Sequence, residues 1–160
     1  MTDAKRLPVE SGGGPHLSAA FFCEKVIEDK EGVLSAIRIV DRIIHSAIGA
    51  GTPEAMPPVP VALTLLIGLK SDAARGRHEL AVTAEQPSGM RHRVAEALTV
   101  LLEGEERGAN LILNLQWVAQ QEGLYWFDIE LNGRTLTRVP LRVVYQRQET
   151  GQAPHRSPDG

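Results

Sequence analysis

The chain has 160 residues, a formal charge of -3, and 42% hydrophobic but only 4% aromatic residues. That length fits one domain with tails, large enough to bury a core without staples. The slight negative charge gives no global attraction to nucleic acid, and a lone cysteine, Cys23, excludes an internal disulfide.

Residues 1–16 include Ser11-Gly12-Gly13-Gly14-Pro15 and read as a disordered tail, and no basic-then-apolar leader is read in them. Leu17–Glu28 reads as a strand. Phe21, Phe22, Cys23, Val26 and Ile27 make it apolar on both faces, so it should be central or covered. Asp29-Lys30-Glu31-Gly32 is a turn, with glycine placed for a left-handed residue. Val33–Ile44 fits two periods: Val33, Ile37, Val40 and Ile44 form a helical stripe, while Val33, Ser35, Ile37, Ile39 and Ile43 alternate. Four isoleucines and two valines favour a strand there, and the helix stays open.

Ser46–Pro58 carries Gly49, Gly51, Pro53, Pro57 and Pro58 and must be an irregular connection, long enough to cross between sheets. Val59–Leu69 alternates cleanly and is too short to span a bilayer. Arg77–Glu85 follows as a further strand, then Gln86-Pro87-Ser88-Gly89 as a turn. Arg91–Leu102 reads as a strand whose Val94–Leu102 part also suits a short helix, and Glu103–Gly108 as an acidic loop. Asn110–Val118 puts Leu111, Leu113, Leu115 and Trp117 on one face.

The strongest local signal is the hairpin Gly123–Tyr145, whose two alternating runs flank Asn132-Gly133, the dipeptide best suited to a type I′ turn. A two-residue loop pairs Leu131 with Arg134 and Ile129 with Leu136. Continued strictly, that register sets Phe127 against Arg138, mixing core with solvent. One extra residue near Leu136–Arg138 repairs it, so a β-bulge is predicted. Phe127 then faces Val139, Tyr125 faces Leu141 and Asp128 meets Arg138, with Pro140 tolerated nearby. Residues 148–160 read as a second disordered tail.

Eight strands without intervening amphipathic helices predict an all-β domain over residues 17–147. The expected form is an antiparallel two-sheet β-sandwich, immunoglobulin-like or jelly-roll-like. Phe22-Cys23-Glu24, then Asp29, Gly32 and Ser35, together with Gly123-Leu124-Tyr125, Asn132-Gly133 and Val139-Pro140-Leu141-Arg142-Val143, resemble an uncharacterised family of small bacterial β-sandwich proteins. The resemblance spans most of residues 17–145. It implies a fold and brings no activity, substrate or catalytic residue.

Candidate chemistry is sparse. Cys23 and Glu24 are strand neighbours and point to opposite faces, so they cannot grip one atom together. Cys23 is expected to be a buried small hydrophobe, and Glu24 to pair with Arg38 or Arg42. His16, His45, His78 and His92 lack metal-ligand spacing, and His155 lies in the tail. The acidic run from Glu103 offers mostly glutamate on one loop, a poor calcium donor set. Gly12-Gly13-Gly14 precedes no strand-then-helix unit that could cradle phosphate. Arg134, Arg138 and Arg142 make a basic edge opposed by Asp128 and Glu130, which suggests mutual pairing. No cofactor is expected.

The functional clue is apolar residues on outer faces: Leu66, Ile112, Val118, Leu124, Trp126 and Val144. The expectation is a cytoplasmic, non-catalytic interaction or assembly module that binds a protein partner or a second copy, without nucleic acid or membrane. Its contact residues would be Leu124, Trp126, Arg138 and Arg142. The alternative is a carbohydrate- or small-ligand-binding domain in which Trp126 or Trp117 stacks on a sugar. A weaker one is a hydrolase or metal enzyme built on Glu24, Cys23 and a histidine.

Overall fold

The computed structural model describes residues 13–148, so most of both expected tails lies outside the described residues. Seven strands and no helix make up this part: β1 (His16–Glu28), β2 (Leu34–Val40), β3 (Arg42–Ile48), β4 (Val59–Glu85), β5 (Arg91–Ala119), β6 (Gly123–Leu131) and β7 (Arg134–Gln148). All belong to one curled sheet in the order β2-β1-β4-β6-β7-β3, with β5 on the other side of β4.

That corrects four expectations. Two pairs of predicted strands are fused: β4 runs through residues 70–76 and β5 through the expected acidic loop. Positive φ at Asp72 and Gly76 in β4 and at Gly104 and Glu105 in β5 lets each strand bend where the sequence reading had ended it. One predicted strand is split. No part of Val33–Ile44 is helical, and Asp41 bends the chain so that β2 pairs with β1 while β3 leaves for β7. The β3–β7 pairing is parallel, so the sheet is mixed and not wholly antiparallel. The hydrogen-bonded order is continuous through β4, which replaces two separate sheets by one that curls.

β4 organises the molecule. β5 pairs with it from Val59 to Glu85, so its other edge must serve two partners in turn: β1 along Thr64–Lys70 and β6 along Leu80–Glu85. The bend between these stretches folds one half of the sheet over the other. Phe22 on β1 meets Phe127 on β6 edge-on, with ring centroids 4.7 Å apart, and Trp117 on β5 packs on Phe127 at 5.6 Å. Leu65, Ile67, Leu80, Val82, Tyr125, Ile129 and Leu141 complete the core on the inner face. The loop after β3 closes one end, sending Met56 into the core and offering the Pro53 carbonyl to the Tyr145 hydroxyl at 2.9 Å.

The hairpin register holds almost as read. Asn132 and Gly133 have φ of 50° and 77°. Phe127 pairs with Val139, Tyr125 with Leu141 and Asp128 with Arg138, and the bulge falls at Leu136, so Ile129 faces Thr137 and not Leu136. Pro140 costs no ladder bond. Arg142 donates its N–H to Asp41, on the β3 side, and strand alternation turns the nitrogen of Pro140 to that same side, before β3 begins.

Candidate functional site

On the β6–β7 half the outer face is charged. Asp128 is only 5% exposed and accepts hydrogen bonds from Arg91 Nη2 and Arg138 Nε, each at 2.6 Å. Glu85 closes the ring, accepting from Arg91 Nη1 at 2.7 Å and Arg138 Nη2 at 2.9 Å. Two guanidinium and two carboxylate groups neutralise one another, and a half-exposed pair set of this kind fixes orientation more than it adds stability. The hydrogen bond to Asp128 is the main cause that raises the Arg91 pKa above its ordinary value. Beside this ring Arg93 binds Glu130 at 2.6 Å.

The expected contact residues sit around it. The Arg138 guanidinium lies 5.0 Å from the centre of the Trp126 ring, which pairs with Pro140 on one side and Glu85 on the other. Leu124 is half-buried opposite Arg142. Arg142 in turn stands beside Arg42 of β3, a neighbour that sequence reading did not supply because the parallel pairing was not foreseen. Trp117 is turned into the core.

The other half carries an apolar outer surface. Phe21, Leu66 and Ile112 face one another across β1, β4 and β5 in a single row. One step along, Cys23 lies between Thr64 and Ile39, and Lys25 opposes Ile37. Ile39 is 63% exposed, Ile37 40% and Ile112 38%. Leu66 and Ile112 were legible as outward residues; Phe21, Ile37 and Ile39 were not, because their strands look apolar on both faces. Within this surface Cys23 and Thr64 are small and are shielded by their neighbours. Burial pushes the Cys23 thiol pKa up.

A cleft of about 690 Å3 opens where β1 parts from β4 beyond the Cys23–Thr64 pair, leaving Val59–Leu63 with β5 alone. Glu24 and Arg38 pair across its rim at 3.2 Å, and Val40, Arg42, Ile43 and Val61 line it. The histidines are dispersed: His16 meets Asp72, His78 bonds Asn132, and His45 stacks on Tyr145 at 5.9 Å. Among the described residues no three His, Cys, Asp or Glu side chains are grouped to hold a metal ion. The run from Glu103 is occupied locally, with Glu103 taking Arg107 and Glu105 taking Arg75. Among the described residues no helix is long and apolar enough to cross a membrane.

These features define an all-β protein of one curled mixed sheet, with a charged ring outside one half and an apolar face outside the other. The chain belongs to a family of unknown function, DUF6941, whose model matches residues 18–144. No curated protein matches it.

Proposed function

We propose that the chain is a non-catalytic, cytoplasmic module for protein interaction or assembly, presenting sheet surface to another polypeptide. The observation that carries this reading is the apolar outer face running from Ile112 through Leu66 and Phe21 to Ile37 and Ile39. Monomers seldom leave such a face in water, and covering it is worth roughly 25 cal/mol per Å2. In this reading the curled sheet works as a two-layer scaffold. The surface of Leu124, Trp126, Arg138 and Arg142 is a second, mixed one that suits the rim of a contact.

Native extracts test it. The chain should elute well above 17.4 kDa, and Ile37→Glu/Ile39→Glu, with unchanged circular dichroism, should lower the elution mass. A wild-type chain that already elutes as a monomer sinks the reading. Ligand binding in the cleft is the second reading, drawn from its size and from Arg42 at its rim. A monomer whose melting temperature rises with soluble glycans or carboxylates would favour it. Stacking on tryptophan is less well supplied, since Trp117 packs on Phe127 and one face of Trp126 holds Arg138.

A further inference from the structure

β5 has one partner. It pairs with β4 along its whole length, so its second edge presents unpaired N–H and C=O groups. Its two parts treat that edge differently. From Arg91 to Arg107 the strand carries eight ionisable side chains and positive φ at Ala97, Gly104 and Glu105, which are the usual defences of an open edge. From Ala109 to Ala119 it has no charged residue, and its register with β4 runs unbroken from Gly108 to Ala119. The other open edges are better defended: β2 is irregular at Arg38, with φ of 53°, and β3 starts with Arg42 beside Arg142.

We infer that Asn110–Gln116 of β5 pairs antiparallel with the same segment of a second copy, about a two-fold axis at Leu113, and joins the two sheets into one. This rests on the interaction reading and names its partner. Only an extended strand satisfies a row of backbone donors and acceptors, and this segment is complementary to itself. The axis sets Leu111 against Leu115 of the second copy, Asn110 against its Gln116, and Ile112 against its Asn114. No charges meet: the first charged residue, Arg107, falls opposite Ala119 of the second copy.

Backbone direction agrees with that register. Pro60 faces Val118 and has no N–H to give, so the backbone groups of this pair turn away from each other. Alternation then sends the N–H and C=O of Ile112, Asn114 and Gln116 to the open edge. Those are the residues an axis at Leu113 places in hydrogen-bonded pairs. The apolar row also reaches this edge at Ile112, so pairing makes the outer faces of the two copies continuous.

Charge patterning of the full chain tests the register. Light scattering of the wild type should give twice 17.4 kDa at micromolar concentration. Ile112→Lys/Asn114→Lys puts lysine against lysine twice and should raise the dissociation constant about tenfold or more. Ile112→Lys/Asn114→Glu sets lysine against glutamate at the same positions and should recover it. Glutamate at 114 can still accept from the Thr64 hydroxyl and lysine cannot, so the comparison is made between variants whose circular dichroism and urea midpoints match the wild type. Leu113→Cys should give a covalent dimer on oxidation, whereas the wild type, with Cys23 buried, should not.

A monomeric wild type overturns the pairing. So does a dimer in which both double variants associate alike and Leu113→Cys stays uncrosslinked. If purified chain is monomeric while native extracts still hold it in a larger particle, the pairing fails and the interaction reading stands.

Discussion

Cys23 lies on the outer side of β1 yet has no exposure, because Ile39, Thr64 and the neighbouring side chains close over it. Desolvation disfavours the thiolate and raises the pKa above its ordinary value of 9.0, while a backbone hydrogen bond at Lys25 works against it. The unfolded chain therefore loses this proton at lower pH than the native one. Above the unfolded pKa the native state binds more protons, so stability is full below that ordinary value and falls as pH rises beyond it. Urea midpoints at pH 8 and pH 10 should fall further in the wild type than in Cys23→Ala; equal falls would mean that the thiol is not desolvated. The burial of Cys23 and the Glu24–Arg38 pair were legible from residue type and strand alternation. The ring around Asp128 was legible only as far as Arg138, its partner within the hairpin. Arg91 and Glu85 join through contacts among β4, β5 and β6, an order that alternation does not encode.

At the scale of the element, short-range chemistry was decisive where turns are tight. Asn132-Gly133 set the hairpin, and the mismatch of Phe127 with Arg138 exposed the bulge. Segment ends marked by weak breakers misled: residues 70–76 and 103–108 hold charge and glycine, as loops do, but here they are bends inside β4 and β5. Gly108 shows what that continuity needs. A Cβ at this position would lie 2.2 Å from the Leu69 carbonyl oxygen, a backbone atom with little room to retreat. It stands opposite Lys70, where the regular part of the β4–β5 ladder ends. Gly108→Ala should cost roughly 1–3 kcal/mol through this clash, outweighing the ~0.4–1 kcal/mol that restricting the unfolded chain returns. Urea unfolding measures it. A gain in stability would show that Gly108 is an ordinary strand glycine and that β4 and β5 do not approach closely at the bend.

For the whole molecule, the one-sided apolar strands were enough to predict an all-β core, while closure by one curled sheet depended on how β4 shares its edge. The split at Asp41 and the parallel return to β7 were illegible for the same reason: pairing between β3 and β7 links residues about a hundred positions apart, and nothing local specifies it. This architecture bears on cooperativity. In two layers joined only by loops, damage to one is passed on through side-chain packing. Here the backbone ladder is shared as well, since β1 and β6 occupy successive stretches of the same edge of β4. Phe22→Leu, which loosens the contacts of Phe22 with Phe127 and Trp117, should cost on the order of 1 kcal/mol. In a Trp117→Phe background Trp126 becomes the only tryptophan, reporting from β6 on the half that does not contain the substitution. Its fluorescence and the far-UV circular dichroism should then shift to one lower urea midpoint together. Were Trp126 to keep its original midpoint while circular dichroism split into two transitions, the halves would unfold separately, and the continuity of β4 would not couple them.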